Sequence, residues 1–81
     1  MVSTELKNKL DAFCFEWIRT WYGDYVDDYD DAMDFCDVFF HELLNEIDTA
    51  FDLDFSNEEV CDAARCAIVR SAIRVKQLSA M

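Results

Sequence analysis

Carboxylates dominate the chemistry open to this chain. Between Asp24 and Asp62 lie 15 of its 18 Asp and Glu side chains and no Lys or Arg, which leaves His41 as the one candidate cation of the segment. Carboxylates at such density serve acid–base catalysis, the binding of a hard cation, or the display of negative charge to a positive surface.

Catalysis finds little support. The chain has one histidine, no nucleophile beside a base and no Gly-rich phosphate loop, and carboxylates crowded on an exposed face stay ionised and solvated. No enzyme activity, catalytic residue or cofactor is expected. For calcium, Asp48, Asp52, Asp54, Ser56 and Glu59 fall at positions 1, 5, 7, 9 and 12 of an EF-hand loop. Ala50 at position 3 cannot ligate, however, and Leu53 stands where the sharp turn needs glycine. For zinc, Cys61 and Cys66 are five residues apart, as are Cys36 and His41, which on a helix separates each pair by about 140°. No metal site is expected, and Cys14, Cys36, Cys61 and Cys66 read as reduced thiols packed like small apolar residues.

The elements that carry the acids are helical. Ser3 or Thr4 can cap a first helix with Leu6, Leu10, Phe13, Cys14, Trp17 and Trp21 inward, ending at Gly23, where a left-handed C-terminal cap favours glycine. A second helix begins between Asp24 and Asp30, with Tyr29, Met33, Cys36, Phe40, Leu43 and Ile47 within about 40° of one direction. Asp27, Asp28, Asp30, Asp31, Asp34, Asp37, Glu42, Glu46 and Asp48 fall more than about 75° from that stripe. The helical period breaks between Asp52 and Ser56, and Ser56 with Glu59 fits a capping box opening a third helix. That helix carries Val60, Ala64, Ala67, Ile68, Ser71, Val75 and Leu78 inward. The expected fold is all-α, a small single-domain antiparallel three-helix bundle with a strongly acidic second helix. At this size folding buries about 60% of the chain's surface.

A net charge of −11 repels nucleic acid and anionic membrane and favours basic protein partners. Exposed helices ordinarily mix both signs; here like charges accept roughly 0.2 to 0.5 kcal/mol of repulsion per close pair without structural return. Residues 27 to 48 would span about 33 Å of helix, over which one DNA strand shows about ten phosphates against nine carboxylates here. A protein that reads phosphates through Arg and Lys could be occupied by such a face. The run Asp27-Asp28-Tyr29-Asp30-Asp31-Ala32-Met33-Asp34, with the acidic, aromatic helix after it, resembles phage-encoded DNA mimics, namely antirestriction proteins of the Ocr type and acidic anti-CRISPR proteins. The resemblance implies an inhibitor occupying the basic nucleic-acid-binding surface of a host defence complex. An immunity protein, antitoxin or adaptor that binds a basic partner elsewhere is the alternative.

Such a partner would meet Asp27, Asp28, Asp30, Asp31, Asp34, Asp37, Glu42 and Glu46, with Phe35 and Val38 as apolar anchors inside the acidic face. Phe15, Ile18 and Tyr22 on the first helix, and Cys66, Val69 and Ile73 on the third, form outer apolar rows that need covering; a homodimer is expected to cover them, the alternative being a second helix long enough to lie across both. With no basic–apolar leader near Met1 and no apolar run of about 20 residues, a cytoplasmic protein is expected. Because the middle acids repel one another, moderate salt should raise the melting temperature. A melting point that stays flat or falls towards physiological ionic strength would show that the repulsion is already neutralised.

Overall fold

The computed structural model describes residues 3–79. Four helices follow in order, α1 (Thr4–Trp21), α2 (Gly23–Asp28), α3 (Ala32–Phe51) and α4 (Glu58–Ser79), and no strand occurs among the described residues. The all-helical class agrees with the hydrophobic periodicity. The element count differs, because what reads as one acidic helix is divided by an extended break at Tyr29 (φ −100°, ψ 134°).

Ser3 opens α1 from an extended backbone, its hydroxyl accepting the Leu6 N–H at 3.1 Å, as an N-cap serine should. The helix buries Leu10, Cys14 and Ile18 completely or nearly so. Trp21 has the inward phase, but at the last turn it only leans on the Trp17 ring at 5.8 Å between centroids and is 64% exposed.

Gly23 was expected as a left-handed cap and is not one. It is the first residue of α2, no glycine has positive φ, and a Cβ there would meet nothing within 4 Å. Tyr22 carries the break instead (φ −124°, ψ 11°), its N–H still donating to the Ile18 carbonyl at 2.8 Å. The left-handed residue is Asp52 (φ 52°, ψ 54°), which ends α3 and donates its N–H to the Asp48 carbonyl at 2.9 Å. Aspartate tolerates this region better than most side chains.

Asp31 starts α3, its carboxylate accepting the Met33 N–H at 3.0 Å. The helix buries Ala32, Phe35, Cys36, Leu43 and Ile47, a direction rotated roughly 45° from the expected stripe at 100° per residue. Met33, expected inside, is 40% exposed, and Phe35, expected on the outer face, is 0% exposed. The cause lies outside α3. Tyr22 and Tyr29, from the two ends of α2, each bring a ring centroid to 6.0 Å from that of Phe35, and Phe39 adds a third at 5.0 Å.

Between α3 and α4, Leu53 and Phe55 are half-buried while Asp52 and Asp54 face solvent. The expected Ser56 cap does not form. Ser56 turns back and donates both its N–H and its hydroxyl to Asp54 Oδ1, and the Asn57 side chain accepts the Glu59 N–H at 2.9 Å. The short acidic side chain at Asp54 captures Ser56 locally, which moves the cap one residue on.

α4 packs against all three other helices. Ala64, Ala67, Ser71 and Ala72 on its buried side are at most 1% exposed, and such small side chains let neighbouring backbones come close. Ser71 donates its hydroxyl to the Asp11 carbonyl at 3.4 Å, and Arg70 binds the Asp11 carboxylate at 2.9 Å. Phe35→Ala is expected to cost about 3 to 5 kcal/mol of stability, whereas Val38→Ala, at a position 60% exposed, should stay within about 0.5 kcal/mol. Urea unfolding of the two variants checks this; equal midpoints would place Phe35 outside the core.

Candidate functional site

The acids expected to meet a partner lie on the outside of α2, the break and α3. Asp27, Asp28, Asp30, Asp31, Asp34, Asp37 and Glu42 are exposed, and Glu46 is half-buried. They do not line one continuous 33 Å helix, because the chain changes direction between Tyr29 and Asp31. α3 itself, at 20 residues, is about 30 Å long.

Few cations balance this surface. Among the described residues, the one ion pair made by the acids from Asp24 to Asp48 joins Asp37 to Arg65 at 3.9 Å, with both side chains more than half exposed. That pair is worth little to stability. The Arg65 guanidinium also lies 5.9 Å from the Phe40 ring centroid. Elsewhere Asp31 has a structural duty as the α3 cap, and Glu42 accepts the Tyr22 phenol at 3.1 Å. Burial, then the bond to Glu42, pushes the Tyr22 phenol above its ordinary pKa. The Trp17 indole nitrogen is buried close enough to that phenol to influence it, yet without a well-formed hydrogen bond.

Phe35 cannot serve as an anchor, because it is fully enclosed. Val38 remains open, and so do Tyr25, 52% exposed and given no role from the sequence, and Trp21, 64% exposed despite its inward phase. Tyr25 leans on Tyr22 and Phe39 with ring centroids at 6.0 and 5.7 Å. Its signal was present as Tyr22, Tyr25 and Tyr29, spaced three and four apart within the acidic segment.

The two outer apolar rows fare differently. On α1, Ile18 is fully buried, Tyr22 packs on Phe35 and Phe39, and Phe15 lies beneath the Arg74 guanidinium at 4.3 Å and near that of Arg19 at 5.9 Å. Ile18 is thereby removed from the surface, and Phe15 and Tyr22 are left half-buried under these contacts. On α4, Cys66 and Ile73 are exposed and Val69 is half-buried.

No cation site takes shape where the EF-hand spacing falls. Asp48 belongs to α3, Asp52 ends it, and the two Ser56 hydrogen bonds hold the Asp54 carboxyl below its usual range. Among the described residues, no three His, Cys, Asp or Glu side chains are placed to hold a metal ion. The four cysteines are free, and burial pushes the Cys14 thiol up to about 12 and that of Cys36 up to about 11. No protein-family model matches the chain, and searches of the curated proteins and of the solved structures found no match. No helix among the described residues is long and apolar enough to cross a membrane.

The thiols give a direct check on this geometry. Under native conditions Cys66 should react fastest with a disulfide reagent and Cys61 more slowly, while Cys14 and Cys36 should react only on unfolding. Because the Cys14 and Cys36 values are raised above that of an unfolded thiol, their contribution to stability is complete below about pH 8.5 and is lost as pH climbs through 11 and 12. A midpoint for urea unfolding that does not fall over that alkaline window would contradict their burial.

Proposed function

We propose that this protein is an acidic inhibitor that occupies the basic nucleic-acid-binding surface of another protein, in the manner of a DNA mimic acting on a host defence complex. The observation that carries the reading is the mostly exposed run of carboxylates from Asp24 to Asp48, which among the described residues makes an ion pair with Arg65 and has Lys76 beside Asp30 and Asp31. Such a surface steers towards clustered Arg and Lys, and its association should slow as salt screens it. The support is electrostatic rather than a match of spacings, since the acids lie on two helices and a break. In this reading α1, α3 and α4 make up an antiparallel three-helix bundle, and α2 is an insertion that adds acids at one end.

The exposed apolar residues favour a second reading. Trp21, Tyr25 and Val38, each more than half exposed, resemble the anchors of a protein–protein contact ringed by polar groups. A surface that imitated phosphates alone would not need them. An immunity protein, antitoxin or adaptor that grips a basic partner away from any nucleic-acid site would use both features.

Competition separates the two. A partner captured from bacterial lysate and identified by mass spectrometry should be released by duplex DNA if its nucleic-acid site is occupied, and retained if it is gripped elsewhere. Asp31→Asn with Asp34→Asn should slow association and flatten its salt dependence, and because asparagine also caps helices the fold should hold. Tyr25→Ala should mainly speed dissociation, at a cost of about 1 to 3 kcal/mol. Unchanged rates for both variants across a salt series would remove the α2–α3 surface from recognition altogether.

A further inference from the structure

We propose that a second copy of this chain docks on the groove between α3 and the outer side of α4, in a two-fold antiparallel pairing centred between Val69 and Arg70. This goes beyond the inhibitory reading and stands independently of it.

The groove has an apolar floor. Met33 and Ile73, each 40% exposed, flank half-buried Val69 and exposed Cys66. Met33, Asp62, Arg65, Cys66, Val69 and Arg70 line a shallow cleft of about 440 Å³. Along α4, Asp62, Cys66, Val69, Ile73 and Gln77 fall within about 40° of the Ile73 direction at 100° per residue. That stripe is symmetric about its middle. Reversing one copy against another sets Cys66 opposite Ile73 and Asp62 opposite Gln77, with Val69 beside the axis, so these apolar positions meet apolar ones and no acid meets an acid, while the two Arg70 guanidiniums that flank the axis are each held by Asp11 of their own copy.

Charge selects a second copy as the occupant. Most of the surface of a −11 chain would repel its own kind, but this groove carries both signs on its α3 side, ordered along α4. Arg65, held only loosely by Asp37 at 3.9 Å, lies one turn before Val69. Asp30 and Asp31 line a recess with Ile73, one turn after Val69, and with Lys76, two turns after it, so two acids against one ammonium leave that end net negative. In a two-fold antiparallel pair the α3 side of one copy faces the α3 side of the other, which brings each Arg65 to the other copy's Asp30 and Asp31. The same operation makes that contact twice, as an isologous interface requires.

Sedimentation across a concentration series into the high micromolar range tests the pairing with the unmodified chain alone. It should show a reversible monomer–dimer equilibrium, and Ile73→Glu, at an exposed position, should weaken it at least about tenfold while circular dichroism and melting stay unchanged. Arg65→Glu and Asp30→Lys should each weaken it, and the double variant Arg65→Glu, Asp30→Lys should recover most of the loss. A chain monomeric throughout would overturn the proposal. So would single variants that dimerise as well as the parent, or a double variant no better than its parts, because either result breaks the antiparallel register.

Discussion

The acidic surface at the α2–α3 break depends on the enclosure of Phe35. Six acids from Asp24 to Asp34 crowd the chain on either side of the α2–α3 break, and their repulsion works to splay it open. What closes it is aromatic: Tyr22 enters from the end of α1, Tyr29 from the break and Phe39 from the next turn, all around a ring with no exposed surface. Lys76 adds a polar tie, its ammonium donating to the Tyr29 carbonyl from the last turns of α4. Burial of a phenylalanine and its ring contacts is worth a few kcal/mol, enough to offset several like-charge pairs of a few tenths each. The acidic surface can therefore persist with only partial neutralisation, by Arg65 at Asp37 and by Lys76 beside Asp30 and Asp31.

The second requirement falls on α4. A chain of 81 residues has limited apolar area to bury, and α4 uses its share by touching every other helix. Its alanines and Ser71 permit close approach, and most of the larger side chains that fill the core, Leu10, Ile18, Phe35, Leu43 and Ile47, come from α1 and α3, with Ile68 from α4 and Val26 from α2. The basic residues along its later turns are consumed mainly on the α1 side, Arg70 by Asp11 and Arg74 by the Phe15 ring. Charge is thereby segregated within one small fold, with arginines closing the α1–α4 seam and carboxylates left open on α2 and α3.

That segregation bears on the two functional readings. A surface meant only to imitate a phosphate strand would be uniformly polar, yet the acids here surround Tyr25 and Val38. Mixed surfaces of this kind let long-range electrostatics govern encounter while short-range apolar contact governs residence. In the proposed recognition, charge display is one half of the chemistry, and the exposed aromatic and apolar residues are the other.

By itself the sequence determined that the chain is helical, that Ser3 or Thr4 caps the first helix, that the last helix buries Ala64, Ala67, Ile68, Ser71 and Val75, and that the middle segment carries its acids outward. These follow from local spacing and from the cost of burying charge, neither of which needs knowledge of a neighbour. Tertiary structure alone decided the rest. Phe35 and Met33 exchanged places because α2 folds back and presents Tyr22 and Tyr29 on one particular side, a direction that periodicity within α3 cannot encode. Ile18 went inside because the small residues of α4 admit that side of α1, while Trp21, correct in phase, was left out at a helix end. Gly23 proved dispensable as a left-handed cap and Asp52 took that conformation, since which turn needs positive φ depends on where the next helix must go. Phase fixes which residues share a face; only the packing partners fix which face is covered.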